Sequence, residues 1–459
     1  MSSASALAGL WQLAGLPGEA LDFAELAGSD PVLPSSFAVG AAAQSTIAAA
    51  ALAACELGHL RGAPRQQVSV DMMHAALECI GWFSIDGRVP DPWDKFSGLY
   101  RCADGWVRVH ANFPHHRDGA LKLLGLEPAA ADRAMAEQAM LSWNAIDFES
   151  AAAASGLVAT ALRSFEAWDA SPQGAAIASQ PLFTMDRIGD APPLALPPLR
   201  AEQRPLEGIR VLDLTRILAG PVGGRALAAY GADVMLVNSP HLPNIEAIAD
   251  TSRGKRSAHV DLRTAQGRAD MDLLLEGAYV FIQGYRPGGL AALGYGPREA
   301  AGRRPGLVYV SLSAYGTQGP WATRRGFDSL VQTAMGFNLA EARAFGSDTP
   351  RPLPMQILDE ATGCLIAMTA AAALHRQQRE GGSWHVQLSL AQTGQWLREL
   401  GRVEGGPSAA RPSMQPYLET VRSGWGELAG VRHSAQLSRT PAAWVRPSMP
   451  PGSHPPRWD

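Results

Sequence analysis

Two segments of the sequence have the residue types that hold phosphate groups. The loop 219–224, Ala-Gly-Pro-Val-Gly-Gly, joins a predicted strand to a predicted helix, and such turns let backbone N–H groups approach a phosphate. The run 251–257, Thr-Ser-Arg-Gly-Lys-Arg-Ser, clusters three cations around a glycine and could bind a nucleotide phosphate beside that turn. Tight packing of helix on strand and a solvated basic loop are the structural alternatives. NAD binding is disfavoured, because GxGxxG is absent and Asn238 stands where a dinucleotide site has Asp or Glu.

A third candidate is a single carboxylate, Asp359, in the segment 357–363 just before a long apolar stretch. Spacing alone favours a plain capping role, since the start of a helix attracts negative charge. The histidines His110, His115 and His116 show no metal-ligand spacing, so no metal site is expected. No nucleophile elbow or P-loop is present in the sequence.

The elements that would position these groups change character at a proline-rich linker, 191–205. Beyond it, short apolar strands alternate with helices, which predicts a parallel sheet covered by helices. The predicted strands are 208–214, 232–237, 279–283, 307–313 and 384–390, and the predicted helices include 223–230 and 363–380. Before the linker, the sequence predicts a helix over 45–60, a strand over 67–70, a hairpin over 98–110 and helices within 115–175.

The composition limits the class of protein and its partners. The chain has 459 residues, 46% of them hydrophobic and 18% charged, with a net charge of −4. This balance is typical of a globular protein and does not favour nucleic acid or an anionic membrane as a partner. The apolar stretch 37–54 is interpreted as a buried core helix. Four scattered cysteines, and no basic residue before Arg61, lead us to expect a cytoplasmic location.

The sequence also contains an internal echo. The stretch 370–390 matches 49–70 in its order of alanine-rich helix, glycine break and alternating strand. Without gaps, this alignment places Asp359 opposite Ala41. We therefore expect two partial copies of one unit, of which only the second has the carboxylate.

Taken together, these segments resemble the class III CoA-transferases of the CaiB/BaiF type. The family's motifs occur in its order over residues 205 to 400, as 205–216 (PLEGIRVLDLTR), 219–221 (AGP), 231–234 (GADV), 254–257 (GKRS), 285–288 (YRPG), 307–311 (LVYVS), 326–328 (GFD) and 359–363 (DEATG). The hairpin around Tyr100 is similar to part of the family's small domain.

The resemblance implies an α/β fold, with a Rossmann-like large domain and a smaller α+β domain. Residues 1–200 are expected to form a partial copy without the catalytic aspartate, made of a helix, a small domain and a return segment. Residues 205–400 would form the large domain. Residues 401–459, which contain nine prolines, are expected to form an extended tail that wraps or frays.

The resemblance also implies the site residues. Asp359 takes the position of the family's catalytic aspartate, which attacks an acyl-CoA thioester and passes through an aspartyl-CoA thioester. A carboxylate needs no further deprotonation near pH 7. CoA is expected to contact residues of the carboxyl edge of the sheet, namely Arg216, Gly220, Pro221, Lys255 and Arg256. The chain departs from the family's pattern at Asn238 and Ala292, which puts CoA affinity in question.

Two alternatives remain open at this point. An α-methylacyl-CoA racemase needs two acid/base groups, and Phe327 stands where racemase relatives have a histidine. A non-catalytic CoA-binding homologue is the second alternative, and the retention of Asp359 disfavours it. The family predicts a homodimer or an intrachain imitation of one, with an acyl-CoA and a carboxylic acid as small-molecule partners. The identity of the exchanged acids does not follow from the sequence.

Overall fold

The computed structural model describes residues 1–458, which fall into three connected segments. The N-terminal segment, residues 1–200, contains the elements α1 Ser3–Ala14, β1 Ala24–Ala27, α2 Val39–Leu60, β2 Val68–Asp71, α3 Met72–Glu78, β3 Phe83–Ile85, β4 Gly98–Arg101, β5 Trp106–Val109, α4 Pro114–Leu123, α5 Arg133–Met140, α6 Ala145–Ala154, β6 Ala159–Ala161, α7 Phe165–Asp169, α8 Pro172–Ala178 and β7 Phe183–Gly189. The hairpin expected over 98–110 is confirmed as β4 and β5.

The central segment, residues 205–400, contains alternating strands and helices. They are β8 Arg210–Leu214, α9 Ala219–Ala229, β9 Asp233–Asn238, α10 Ile248–Thr251, β10 Arg256–His259, α11 Ala265–Gly277, β11 Val280–Gln283, α12 Pro297–Arg303, β12 Val308–Ser313, α13 Asp328–Met335, α14 Phe337–Ala344, α15 Ile357–Glu380, β13 Ser383–Ser389 and α16 Leu390–Glu399. The C-terminal tail, from residue 401, adds β14 Leu418–Ser423, β15 Gly426–Val431 and β16 Ala435–Leu437. Short 3-10 turns lie at Gly18–Phe23, Ala291–Leu293, Gly406–Ser408 and Gln415–Tyr417.

A seven-stranded sheet forms the centre of the molecule, in the order β10-β9-β8-β11-β12-β13-β7. Its first six strands are parallel, as the alternating pattern predicts, and β7 pairs antiparallel with β13. The fold is thus α/β with a large parallel-rich sheet. Because β7 comes from before the linker, the sheet draws on both the N-terminal and the central segment.

The two faces of this sheet bury different sets of side chains, as expected when alternate residues of a strand point to opposite sides. Val211, Ile282 and Val310 join the large core that contains α2, α9 and α15. Leu212, Phe281 and Tyr309 join a second core with α11 and α12. The sheet is therefore covered on both faces, as parallel sheets usually are.

The helices α2 and α9 pack tightly against α15 beside the Asp359 carboxylate. The long helices α2 and α15, which correspond to the two copies of the internal echo, lie against each other, and nearly all their residues are buried. Between α9 and α15, a Cβ atom at Gly363 would lie 2.6 Å from Val222 Cγ1, so only glycine allows this approach. The start of α9 is thereby held against the first turns of α15.

The tail is integrated into the fold rather than frayed. Strand β16 pairs antiparallel with β2, and β15 pairs antiparallel with β3, so the tail completes two small sheets begun by the N-terminal segment. A third small sheet, β4-β5-β6, packs on α5 and α6 and has its own core around Tyr100, Val107 and Phe148.

Two helices, α2 and α15, are long and apolar enough to cross a membrane by length and composition. The most apolar part of α2 is 100% buried inside the protein, and that of α15 is 94% buried. The sequence-based interpretation of the region around residues 37–54 as a core helix agrees with this burial.

Candidate active site

Asp359 lies in the first turn of α15, two residues after the helix begins. Its side chain is almost entirely buried and accepts a hydrogen bond from the backbone N–H of Ala219, the first residue of α9. Its own backbone N–H donates to Asp328 Oδ2 at 2.9 Å. The carboxylate is therefore placed where the beginnings of two helices meet; the start of α9 donates an N–H group to it, and both helix starts carry positive partial charge.

Asp328 is the second carboxylate of this site and is completely buried. It lies in the first turn of α13 and accepts hydrogen bonds from the Gln332 amide and from the backbone of Asp359. Burial raises the pKa of Asp328 to about 7, although these donors oppose the rise. Sequence analysis placed this residue in the motif 326–328 but gave it no role in the site, since that role depends on contact with a helix that begins 29 positions later.

Burial also raises the pKa of Asp359 well above its usual range, and the nearby carboxyl groups of Asp328 and Glu360 raise it further. The sequence-based expectation of an ordinary carboxylate, ready near pH 7, therefore needs correction. Like charges this close do not ionise independently, so the two aspartates titrate as a pair.

Asp359 faces a cavity of about 440 Å³ whose walls come from both the N-terminal segment and the central segment. The N-terminal segment contributes residues that include Cys79, Gly81, Trp93 and His110. The central segment contributes residues that include Ile217, Leu218, Ile245 and Phe327. Neither segment alone encloses the carboxylate.

A second groove, of about 320 Å³, lies at the carboxyl edge of the sheet. It shares Ile217 and Phe327 with the Asp359 cavity, so the two spaces adjoin. Four arginines line the groove, Arg216, Arg286, Arg324 and Arg325, and Arg324 is paired with Glu149. In doubly wound folds, ligands bind at this edge of the sheet. The cluster of guanidinium groups suits a ligand that carries phosphates.

Arg216 is the predicted CoA contact that the structure places in this groove. Its guanidinium donates to the carbonyl of Pro243 and lies 5.7 Å from the centre of the Phe113 ring, and its Nε is buried without a partner among the residues that the structure describes. The next residue, Ile217, has a φ of 77°. This conformation is rare for a β-branched side chain, so the turn that presents Arg216 is strained.

Gly220 and Pro221 line neither the cavity nor the groove. A Cβ atom at Gly220 would lie 2.4 Å from Thr215 Cβ, so this glycine lets α9 approach the preceding turn. The carbonyl of Pro221 accepts a hydrogen bond from Lys255 Nζ at 2.7 Å. Both residues therefore shape the loop 219–224, which agrees with the alternative that this loop serves the packing of helix on strand.

Lys255 and Arg256 also lie outside the cavity and the groove. The ammonium of Lys255 is fully buried and forms an ion pair with Asp213 at 2.9 Å. Arg256 is buried in β10 and pairs with Asp233 of the neighbouring strand. The prediction that these two cations contact CoA is not supported by their positions, because both charges are already compensated inside the large domain.

The two departures from the family's pattern lie in different environments. Asn238, at the end of β9, is buried, and both polar atoms of its side chain lack a hydrogen-bond partner within residues 1–458. Ala292 is exposed in the 3-10 turn Ala291–Leu293. Neither residue lines the Asp359 cavity or the arginine-lined groove.

Sequence reasoning did not anticipate the position of His110. Its ring stacks on Phe327 with the ring centres 3.9 Å apart and the planes 13° apart, and it lines the Asp359 cavity. Burial lowers the pKa of His110 to about 3, and its Nδ1 is buried with no hydrogen-bond partner in the described part of the chain, residues 1–458. No local pattern could have found it, because His110 and Phe327 belong to different segments.

A buried charged cluster lies behind the cavity and involves all three segments. Glu360 is in contact range of Arg225, at 3.9 Å, and Arg225 forms an ion pair with Asp250. Glu78 of α3 accepts from the His433 ring at 2.8 Å and from Ser434 of the tail. Among residues 1–458, no group of three or more His, Cys, Asp or Glu residues is arranged to hold a metal ion.

Comparison with known proteins agrees with this architecture. Residues 3–195 and 206–409 match CoA-transferase family III, and the chain belongs to this family. Because the match falls in two segments, it also agrees with the internal echo.

Individual relatives are named as transferases. An acyl-CoA transferase from Gibberella moniliformis is 31% identical over 379 residues, covering 73% of this chain and 66% of the relative. A probable fatty acyl-CoA transferase from Mycobacterium tuberculosis is 35% identical over 201 residues, covering 41% of this chain and 50% of the relative. A succinate–glutarate CoA-transferase from Agrobacterium fabrum is 34% identical over 206 residues, covering 40% of this chain and 51% of the relative. The chain thus spans between half and two thirds of the length of these curated relatives.

Among solved structures, an orthorhombic crystal structure of the M. tuberculosis protein aligns at 35% identity. The alignment covers 43% of this chain and 56% of that chain, with a TM-score of 0.41.

Proposed function

We propose that this protein transfers CoA between an acyl-CoA thioester and a carboxylic acid, with Asp359 as the nucleophile. One observation carries the proposal: the buried Asp359 carboxylate faces a cavity that adjoins an arginine-lined groove. The groove would hold the phosphates of CoA, and the cavity would hold the acyl group. The names of the relatives support CoA transfer as the general reaction.

The proposed reaction proceeds in steps that need no external oxidant or metal. The Asp359 carboxylate attacks the thioester carbonyl, the C–S bond breaks, and a mixed anhydride and CoA thiolate are formed. The thiolate then attacks the aspartyl carbonyl, releasing the donor acid as its carboxylate and leaving an aspartyl-CoA thioester. The acceptor carboxylate completes the exchange by the same two steps in reverse. The backbone N–H of Ala219, at the start of α9, already donates to the Asp359 carboxylate and would serve as a donor for the oxyanions that develop there.

In this proposal, the burial of the Asp359 carboxylate favours its attack on the thioester. A carboxylate in a largely apolar cavity is poorly solvated, so less water must be displaced before it attacks. Arg216 is the residue we assign to the CoA phosphates, because it lines the groove and its Nε has no partner within residues 1–458.

The direct test is covalent trapping. The protein is incubated with a panel of acyl-CoA donors and examined by intact mass for an adduct, first as wild type and then as Asp359→Asn. We expect an adduct that maps to Asp359 in the wild type and a loss of turnover of at least about 1,000-fold in the variant. Equal behaviour of the two proteins would rule out Asp359 as the nucleophile.

A racemase-type reaction is the second candidate, and the position of His110 is the observation that favours it. His110 lines the cavity of Asp359 and stacks directly on Phe327, the residue that stands where racemase relatives have a histidine. A carboxylate and an imidazole on two walls could exchange an α-proton. Solvent deuterium should then enter the α-carbon of a 2-methylacyl-CoA, and His110→Ala should abolish this exchange. CoA binding without either activity would favour a non-catalytic homologue.

The location and the assembly are further proposals. We propose a cytoplasmic protein, in keeping with its four scattered cysteines, and a homodimer, as the family resemblance implies. Since one chain supplies both walls of the Asp359 cavity, a dimer would repeat a complete site rather than complete a partial one. Sedimentation of the purified chain and fractionation of its native cells would test these two proposals.

A further inference from the structure

Polar side chains on four neighbouring strands, β11, β12, β13 and β7, form a row that is separate from the Asp359 cavity. Gln283 of β11 pairs in register with Ser311 of β12, and His385 of β13 pairs in register with Asp186 of β7. Ser311 and His385 are brought together across the β12–β13 pair, where Tyr309 is the register partner of His385. The proposed CoA transfer uses none of these four residues.

The hydrogen bonds within this row give Ser311 a defined role. Its Oγ lies 2.8 Å from His385 Nε2 and 3.1 Å from Gln283 Nε2. The Gln283 amide is oriented by the backbone N–H of Tyr285, which donates to its Oε1 at 2.9 Å, so its Nε2 donates to Ser311. Ser311 is then free to donate its own proton to His385 Nε2. A hydroxyl that donates to an imidazole is the geometry of a serine activated by a base.

Both residues open onto a cavity of about 140 Å³, between the sheet face and the turn before α12. Ser311 and His385 are only half-buried, so a ligand in the cavity can reach them. Burial lowers the pKa of His385 to about 4, with Asp186 opposing the shift, so the imidazole is neutral near pH 7 and can accept a proton. The cavity also shares Tyr285 and Arg286 with the arginine-lined groove.

We propose that Ser311 and His385 form a second catalytic site, which hydrolyses small activated acyl esters or thioesters. Ser311 Oγ would attack the acyl carbonyl while its proton passes to His385 Nε2. The leaving alcohol or thiol takes that proton, and an acyl-serine remains. Water then attacks the acyl-serine, giving up its proton through His385, and releases the acid and the free serine. Gln283 Nε2, beside the nucleophile, is the donor nearest to the developing oxyanion.

The size of the cavity sets the substrate class. A volume near 140 Å³ accommodates an acyl group of a few carbons rather than a long chain. The adjoining groove would leave room for a larger leaving group outside the cavity. This activity goes beyond the proposed CoA transfer and does not depend on it, because it needs neither Asp359 nor bound CoA.

The test uses the full-length protein in the Asp359→Asn background, which removes the proposed transfer chemistry. p-Nitrophenyl acetate reports hydrolysis, and diisopropyl fluorophosphate with intact-mass and peptide mapping reports a covalent serine. The background from other nucleophiles is small, since the chain has three lysines and its four cysteines are buried. We expect Ser311→Ala and His385→Gln each to lower the rate at least about 100-fold.

Ser313→Ala is the matched control, because Ser313 lines the same cavity but has no histidine partner within residues 1–458. Its rate and its labelling should match those of the parent. The rate of the parent should hold to near pH 4 and fall below it as His385 gains a proton, whereas an ordinary histidine would give a midpoint near 6.5. A fluorophosphonate adduct elsewhere, or an unchanged rate in a folded Ser311→Ala variant, would overturn the proposal.

Discussion

At the scale of residues, the candidate site is governed by two carboxylic acids that burial holds close together. Asp328 accepts the backbone N–H of Asp359, and both have raised pKa values because burial disfavours their charged forms. A nucleophile must be ionised to attack. The proposed reaction should therefore speed up as the pH rises through the apparent pKa of the pair.

This pairing predicts a shift in the pH profile. Asp328→Asn removes a negative charge that raises the pKa of Asp359, so the acid limb of kcat/KM should move to lower pH. The profile of acyl-CoA consumption between pH 5 and 9 measures this shift. Asp328→Glu keeps the charge and serves as the control. An acid limb that stays in place in Asp328→Asn would mean that Asp328 does not influence the nucleophile.

At the scale of elements, the strands of the large sheet could be predicted from the sequence because their apolar runs are local. The predicted strand 307–313 and the observed β12, Val308–Ser313, differ by one residue. The start of α15 was predicted six residues too late. The cause is physical, since Asp328 caps the backbone of Asp359 from a separate helix, and no neighbour in the chain signals that contact.

Strand β7 was missed for a related reason. It begins with Phe183, but Asp186 and Arg187 are exposed in its middle, as suits an edge strand that has lost the apolar alternation used for prediction. The cations of the basic run 251–257 look available for a ligand in the sequence, but each has a carboxylate partner in the fold. Lys255 and Arg256 pair with Asp213 and Asp233 on strands of the large sheet, and Arg253 pairs with Asp250 of α10.

The ion pair between Lys255 and Asp213 yields a prediction about stability. Lys255→Met leaves the Asp213 carboxylate buried without its cation, which should cost about 3–5 kcal/mol of unfolding free energy. The double variant Asp213→Asn, Lys255→Met should recover much of that loss. Urea denaturation measures both values.

Arg216→Gln is the contrasting variant, because Arg216 lies in the groove. It should raise the KM for acyl-CoA about tenfold and leave the unfolding free energy within about 0.5 kcal/mol. If Lys255→Met raised KM without loss of stability, its assignment to the interior of the large domain would be wrong.

At the scale of the whole molecule, a charged contact fastens the tail to the N-terminal segment. Burial alone would raise the pKa of Glu78, but His433, Arg225 and Ser434 outweigh it and hold the pKa below its usual range. Such a group stabilises the folded protein when ionised. The stabilisation is present above the pKa of an unfolded glutamate, about 4.3, and is lost as the pH falls towards the folded value.

His433→Gln should therefore weaken stability and reduce its pH dependence. We expect the loss at pH 7 to be about 1–3 kcal/mol, since a buried carboxylate loses a hydrogen-bond donor. Thermal or urea unfolding between pH 7 and pH 3 measures both effects, with exposed His241→Gln as the control. Parallel stability curves for wild type and His433→Gln would contradict this account.

The two edges of the seven-stranded sheet, β10 and β7, affect how copies of the protein can associate. On one margin, the tail covers β10, where the backbone N–H of His454 donates to Ser257 at 2.8 Å. On the other, β7 covers β13 and presents the exposed charges of Asp186 and Arg187. Unprotected sheet margins recruit strands from neighbouring molecules, and buried or charged ones resist it. Concentrated solutions should therefore stay free of fibrils built by extending this sheet, and copies that associate must do so through other surfaces.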